Sequence, residues 1–126
     1  MKDIRCLLVS PNEEPVELHI SEDVDVFNYI TSPVIRMKKL INEEVFILYN
    51  EHKGCQEQAN RIVDNSIIYK DFILINYDEK KDKFVSLSDK ELKKYHDFFN
   101  IKSINKLNDR IIADRAAFRQ YLRRVH

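Results

Sequence analysis

The residue types best suited to chemistry in this sequence are arginines spaced four apart. Arg115, Arg119 and Arg123 follow one another at this spacing, and Arg110 precedes them. Side chains four apart lie on one face of an α-helix, so their guanidinium groups form a row. A guanidinium donates two parallel hydrogen bonds to a phosphate, so the row could bind a diphosphate or a cyclic oligonucleotide. The alternative is a solvated face whose cations favour the carboxyl end of the helix.

Three earlier residues could complete a site for a nucleotide. Phe84 begins a strand beside a polar turn, where its ring could stack on a purine, although such a residue is more often part of a core. Asn60 and Arg61 could bind a base edge or a ribose, although polar loop residues usually cap helices. The sequence therefore predicts a ligand site made of Asn60, Arg61, Phe84, Arg110, Arg115 and Arg119.

The charges are unevenly distributed along the chain. Residues 102–126 contain seven Lys or Arg and two Asp, a net charge of +5. Residues 1–101 contain fourteen Lys or Arg and nineteen Asp or Glu, a net charge of −5, so the whole sequence is neutral. The basic end favours an anionic partner, but nonspecific binding to nucleic acid needs many uncompensated cations. We therefore expect a small anionic ligand and no nucleic-acid partner.

The residues required for several kinds of catalysis are missing. Gly54 is the only glycine, whereas a dinucleotide fingerprint needs three and a phosphate-binding Walker loop needs two. His52 and Cys55 offer two zinc ligands, but nothing nearby supplies the other two that a structural site requires. No serine lies in a nucleophile elbow, and Cys6 lies in an apolar segment. We expect a protein that is not an enzyme and that uses no metal or cofactor.

The sequence also predicts where the protein is found. No run of about twenty apolar residues is present, so no membrane span is expected. The first residues, from Met1 to Arg5, lack the apolar run of a signal peptide. Cys6 and Cys55 are expected to be reduced thiols. Together these observations predict a cytoplasmic protein with no membrane partner.

Alternating and apolar segments predict a β-sheet in the first part of the chain. Ile4–Val9 and Val16–Ile20 are expected to form an antiparallel hairpin, and a short helix is expected between Ser21 and Pro33. Residues Cys55–Asp64 are ambiguous and could form a helical turn. The other predicted strands are Val34–Ile41, Val45–Tyr49, Ile67–Tyr69, Phe72–Tyr77 and Lys83–Leu87.

Two helices are predicted after the sheet. Ser88 and Glu91 form a capping box at the start of the first, whose inner face carries Leu92, Tyr95, His96 and Phe99. The second begins near Ser103 or Asn105 and runs to Val125, and in it Asp114 is expected to pair with Arg110. The apolar stripe of this helix consists of Leu107, Ile111, Phe118, Tyr121, Leu122 and Val125.

The predicted fold class is α+β. It has a mostly antiparallel β-sheet, one short inserted helix and two C-terminal helices. The length of 126 residues suits a single domain, with residues 1–87 as the sheet body and residues 88–126 as a helical pair. Ile112 and Ala116 lie away from the apolar stripe of the last helix. An apolar residue at that position suggests a homo-oligomer formed through the C-terminal helices.

Part of the chain resembles a family of small domains, of unknown function, that is common in phages and mobile elements. The matching segments are Pro11–Pro15, Asn60–Arg61, Phe72–Ile75 and Phe84–Asp89, followed by Lys94, Tyr95 and Phe98. The most specific of these is Phe84–Asp89. The resemblance covers residues 4–99, so it leaves out the arginine-rich helix. It implies a small protein of phage type and no particular chemistry.

The overall form is similar to that of the Thoeris anti-defence proteins of phages, in which a sheet body precedes a C-terminal helical pair that carries arginines. Those proteins bind a cyclic ADP-ribose isomer made by bacterial TIR-domain enzymes and hold it without cleaving it. The resemblance implies that Phe84 stacks on adenine and that Arg110, Arg115 and Arg119 hold the phosphates. On this basis we expect a phage protein that sequesters a cyclic nucleotide immune signal. The alternative is an inhibitor that acts by direct protein contact, as anti-CRISPR or antirestriction proteins do.

Overall fold

Seven strands and two helices make up the part of the chain that the computed structural model describes, namely residues 3–22, 26, 35–41, 43–51 and 58–125. The strands are β1 Asp3–Val9, β2 Val16–Ser21, β3 Ile35–Lys39, β4 Phe46–Asn50, β5 Ala59–Val63, β6 Ser66–Asp78 and β7 Lys83–Val85. The helices are α1 Asp89–Phe98 and α2 Ser103–Val125. The predicted hairpin, the antiparallel sheet and the two C-terminal helices are confirmed. The short helix expected after Ser21 falls almost entirely outside the described residues.

The sheet is organised around β6, its longest strand. Its strands follow the order β2-β1-β6-β4-β3, while β5 and β7 also pair with β6, and every pairing is antiparallel. The prediction of separate strands on either side of Lys70 and Asp71 is wrong, because β6 runs through both residues. Lys70 has a φ of 60°, which is unusual for a residue with a side chain. β6 pairs with β5 before Lys70 and with β1 after it, while its pairing with β4 extends to both sides of Lys70.

The segment Cys55–Asp64, which the sequence leaves ambiguous, is mostly a strand where the structure describes it. Residues 59–63 form strand β5, and residues 55–57 lie outside the described part. The strand was hard to recognise because two of its inward-facing residues, Asn60 and Arg61, are polar. Pairing with β6 determines the conformation of this segment, and local sequence preference does not.

Apolar residues cover both faces of the sheet. Along β6, Phe72 and Leu74 belong to the cluster that packs against α1, whereas Ile73 and Ile75 belong to the cluster on the opposite face. A strand buried on both faces reads as a continuous apolar run, as residues 72–75 do. Cys6 is fully buried in the second cluster, and burial raises the pKa of its thiol to about 12. This placement agrees with a thiol that serves as a small packing group.

Helix α1 begins at the predicted capping box. The Glu91 backbone N–H donates to Ser88 Oγ at 3.1 Å, and the Ser88 N–H donates to Glu91 Oε1 at 2.9 Å. Its buried face contains Leu92 and Tyr95, followed by Phe99 at the C-terminal cap. His96 was expected on the buried face of α1, but it lies at the edge of that face and is exposed.

Helix α2 packs on the rest of the protein only along its first half. Its 23 residues span about 35 Å at 1.5 Å per residue. Leu107 is buried and Ile111 is half-buried, but every residue from Ile112 to Arg124 is exposed. The second half of α2, residues 112–124, is called the arm below. The predicted pair is confirmed, since Arg110 Nε donates to both carboxylate oxygens of Asp114 at 3.2 Å.

Glu43 connects α1 to the segment between β3 and β4, and this contact leads to a pH-dependent prediction. Its Oε2 accepts hydrogen bonds from Lys94 Nζ and from the Tyr95 hydroxyl, both at 2.8 Å. These bonds, first from Lys94 and then from Tyr95, lower the pKa of Glu43 below its ordinary value of 4.5. A lowered carboxylate pKa contributes stability above the unfolded-state value, and that contribution is lost as the pH falls.

We expect Glu43→Gln to reduce the melting temperature at neutral pH and to have progressively less effect below pH 4.5, the ordinary value for this side chain. Thermal melts of both proteins across the acid range would measure this difference. Glu44→Gln is the control, because the neighbouring Glu44 side chain is 89% exposed. A constant difference between wild type and Glu43→Gln at every pH would contradict the prediction.

Candidate functional site

Arg61 lies in the interior, where its guanidinium donates five hydrogen bonds. Nε and Nη2 both donate to the Phe99 carbonyl, at 3.2 and 3.1 Å. Nη1 donates to the carbonyl and to Oδ1 of Asn60, at 3.0 and 2.9 Å, and Nη2 donates to the Glu13 carbonyl at 2.6 Å. A guanidinium has five N–H groups, so its donor capacity is fully used. Burial lowers the pKa of Arg61, and the negative charge of Glu14 opposes that shift.

Asn60 has a similar structural role beside Arg61. Its Nδ2 donates to the Val9 carbonyl at 2.8 Å and to the Lys70 carbonyl at 2.7 Å, while its Oδ1 accepts from Arg61. Both side chains are 0% exposed. The structure therefore places Asn60 and Arg61 inside the fold, where Arg61 caps the carboxyl end of α1 and neither side chain faces a surface ligand.

Phe84 lies on the sheet face opposite α1. It packs against the cluster that contains Ile73 and Ile75, and its ring lies 5.5 Å from that of Tyr77 at an angle of 60°. It is only partly buried. The sequence left open the alternative that Phe84 is part of the core, and this packing agrees with that alternative.

The arginines of α2 are distant from Phe84 along the sheet. Arg110 Nη1 donates to the Asn65 carbonyl at 3.2 Å, in the turn that precedes β6, whereas Phe84 pairs with Tyr77 near the other end of β6. Arg115 and Arg119 belong to the exposed arm, as does Arg123. The structure thus does not bring the six predicted ligand residues together in one chain. It does bring Arg110 to the edge of a cleft that the sequence did not reveal.

This cleft lies where α1, α2 and the β5–β6 turn meet, and its volume is about 670 Å³. Asp64 and Asn65 form the two-residue turn, with φ values of 49° and 67°, which are typical of a tight hairpin turn. Ser103 and Lys106 contribute from the first turns of α2, and Phe98 contributes from the last turn of α1. The remaining lining residues are Ile41, Ile62, Asp97, Phe99, Asn100 and Lys102.

Phe98 provides an exposed aromatic surface in this cleft. Its side chain is 63% exposed, although its neighbour Phe99 is 1% exposed. The two rings meet edge to face at 4.8 Å, and Phe99 meets Phe72 in the same way at 5.4 Å. Phe98 is therefore held in place by the core while most of its ring remains free to contact a flat ligand.

Two lysines give the cleft a positive edge. Lys102 and Lys106 are exposed, lie four residues apart, and make no ion pair with any described residue. The backbone N–H groups at the start of α2 are already used: Lys102 N–H donates to Asn100 Oδ1, and the Ser103 N–H donates to the Asn100 carbonyl, both at 2.9 Å. Any bound anion would therefore interact mainly with the two lysine side chains.

The other polar groups of the cleft are suited to binding hydroxyl and amino groups. Asp97 and Asp64 supply carboxylate oxygens, which accept hydrogen bonds, and Asp64 Oδ2 already accepts one from the Ile41 N–H at 3.2 Å. Asn65 supplies an amide. A ligand that combines a planar ring, hydroxyl groups and an anionic group would match this arrangement. Sequence reasoning missed the cleft because its residues come from four separate segments. The available signal was Phe98, which lies just off the apolar face of α1.

Among the described residues, no three His, Cys, Asp or Glu side chains are grouped so that they could hold a metal ion. Neither α1 nor α2 is long and apolar enough to cross a membrane. Comparison of the chain with protein-family models, curated proteins and solved structures found no match.

Proposed function

We propose that this protein binds and sequesters a small cyclic nucleotide, such as a cyclic ADP-ribose isomer, without cleaving it. The observation that carries this proposal is the cleft of about 670 Å³ that combines exposed Phe98 with Lys102 and Lys106, which form no ion pair within the described part of the chain. Its volume is within the range of roughly 300–1,000 Å³ that is usual for small-molecule sites. Sequestration of such an immune signal would serve phage evasion of bacterial defence.

In this proposal the roles expected of the predicted residues pass to residues that line the cleft. Phe98 takes the stacking role that the sequence suggested for Phe84, since a nucleobase can stack on any exposed aromatic face. Lys102 and Lys106 take the phosphate. Arg110 is close to the cleft through its bond to Asn65, whereas Arg115 and Arg119 lie farther along α2.

The proposal can be tested by measuring ligand binding before and after the charges of Lys102 and Lys106 are removed. Wild-type protein is expected to melt at a higher temperature with micromolar cyclic ADP-ribose isomer, because a ligand that binds only the folded state stabilises it. Lys102→Gln/Lys106→Gln should weaken binding at least about a hundredfold, since it removes two charge-assisted hydrogen bonds of about 1.5–3 kcal/mol each and about 1.4 kcal/mol is a tenfold change. Isothermal titration calorimetry would give the affinity, and chromatography after denaturation should return the ligand intact.

Lys90→Gln/Lys93→Gln is the matched control. It removes the same charge from exposed positions on α1 that do not line the cleft. Equal affinity for wild type and the Lys102/Lys106 variant would overturn the proposed site, and recovery of a chemically altered ligand would indicate an enzyme. If no cyclic nucleotide binds wild type, the proposed function fails.

A second candidate function is inhibition of another protein by direct contact. The arm of α2 favours it, since Phe118 and Tyr121, three residues apart on its apolar stripe, are both 60% exposed. Exposed apolar side chains at helical spacing are a common way to contact another protein. This function predicts no response to nucleotides and a loss of inhibition when the apolar residues of the arm are replaced.

A further inference from the structure

A smaller cavity of about 110 Å³ lies beside the cleft, where α1 meets the segment between β3 and β4. It shares Ile41, Asp64, Phe98 and Phe99 with the cleft, so the two cavities are neighbours. The smaller cavity is called the side pocket below. An apolar cavity of roughly 150 Å³ is large enough to hold benzene, so the side pocket suits one edge of a planar ring system and not a whole nucleotide.

The side pocket has apolar walls whose positions are fixed by the fold. Ile41 and Phe98 line both cavities and are 67% and 63% exposed, so each offers an accessible apolar surface. They belong to different elements, but Glu43 connects those elements because it accepts hydrogen bonds from Lys94 and Tyr95, both at 2.8 Å. A planar group that enters the side pocket would therefore contact surfaces that are already in place.

Asp64 supplies a hydrogen-bond acceptor at the junction of the two cavities. Its Oδ2 accepts from the Ile41 N–H at 3.2 Å and lies 3.9 Å from Lys38 Nζ. Among the residues that the structure describes, none donates a hydrogen bond to its Oδ1. The side chain is 17% exposed, so this carboxylate is held in position and largely shielded from water. A donor that reaches it would form a charge-assisted hydrogen bond, which is roughly twice as strong as a neutral one.

We infer that the side pocket binds the base of the ligand by its amino edge, with the exocyclic amino group donating to Asp64 Oδ1. This inference rests on the proposed function, since it assigns one end of the same ligand. Adenine carries such an amino group. The charges orient the ligand: Asp64 and Glu43 line the side pocket, whereas Lys102 and Lys106 line only the cleft. Lys94 also lines the side pocket, but it is paired with Glu43 at 2.8 Å. The phosphate is thus favoured at the lysine edge and the base in the side pocket.

The first experiment compares two ligands that differ only in the amino group. One is a cyclic ADP-ribose isomer, and the other is its counterpart in which hydrogen replaces the amino group of the purine. In isothermal titration calorimetry the wild-type protein should bind the amino form about 10- to 100-fold more tightly, since only that form donates to the carboxylate. Equal affinity for the two forms would overturn the inference and leave the proposed function standing. If neither form binds, the proposed function fails and this inference fails with it.

Asp64→Asn tests the acceptor with little change of shape. Residue 64 has a φ of 49°, which asparagine tolerates, and the amide oxygen can still accept from the Ile41 N–H. The melting temperature without ligand should therefore stay close to that of wild type. The amide then presents its NH₂ group where the wild type presents an oxygen. The variant should lose the preference, so that the two ligand forms bind equally well. A preference that persists in Asp64→Asn would overturn the inference.

Asp97→Asn is the matched control for the charge. Asp97 lines the cleft but not the side pocket, and its side chain is 70% exposed, so this variant should keep the preference for the amino form. Ile41→Ala removes a wall but no acceptor, so it should weaken binding of both forms to the same extent. Loss of the preference in Asp97→Asn would place the amino group in the wider cleft and overturn the inference. Unchanged affinity of Ile41→Ala for both forms would also overturn it.

Discussion

Arg61→Met is expected to lower the free energy of unfolding by about 3–5 kcal/mol, the usual loss when one partner of a buried charged network is removed. Methionine fills a similar volume but donates no hydrogen bonds. The carbonyls of Phe99, Asn60 and Glu13 would lose the bonds that they accept from the guanidinium. Buried acceptors without donors are costly, and these carbonyls join α1, β5 and the segment between β1 and β2.

Urea denaturation followed by circular dichroism would measure this loss. Arg115→Met is the matched control, because Arg115 is exposed on the arm, and its replacement should change stability by no more than about 0.5 kcal/mol. Arg61→Lys should recover only part of the loss, since an ammonium has three donors and cannot reach all the acceptors. Equal stability of Arg61→Met and Arg115→Met would show that the internal network contributes little.

Phe99→Ala is expected to lower the free energy of unfolding by about 3–5 kcal/mol, as large-to-small changes of buried aromatic residues do. Phe99 is 1% exposed and lies between Phe72 and Phe98, so its loss leaves a cavity where α1 meets the sheet. Guanidinium chloride denaturation would give the change in stability. Its slope should match that of wild type if the folded state remains compact.

The adjacent Phe98 is the natural control for Phe99. Phe98→Ala removes the same ring from a side chain that is 63% exposed, so we expect it to cost about 1 kcal/mol or less of stability. If Phe98 stacks on a nucleobase, the same change should weaken ligand binding by about 1–3 kcal/mol. A destabilisation by Phe98→Ala as large as that by Phe99→Ala would contradict the assignment of these two rings.

Features that depend on neighbours in the chain could be predicted well. The capping box of Ser88 and Glu91 is a local pattern, and its hydrogen bonds form as expected. The alternation in Val16–Ile20 and the apolar residues before Asn50 predicted strands β2 and β4, because one or both faces of those strands are buried. The pair between Arg110 and Asp114 depends only on helical spacing.

Features that depend on distant contacts could not be predicted in this way. The polar pair Asn60 and Arg61 suggested a loop or a ligand site, but acceptors from β1, β6 and the end of α1 allow both residues to be buried. Nothing in the sequence near residue 60 specifies those acceptors. For the same reason, the six predicted ligand residues were a plausible set by type, yet the fold separates Phe84 from the arginines of α2.

The arginine spacing near the end of the sequence by itself determined a helix with a basic face and an apolar stripe, because helical geometry relates residues four apart. The spacing of apolar residues along the sequence also determined an antiparallel sheet whose central strands are buried. Only the tertiary structure decided which part of that helix is covered, since the body ends near Ile111 and leaves the arm exposed. It also decided that the cleft contains Phe98 and Lys102, because its walls come from segments that are brought together only when the sheet and helices pack.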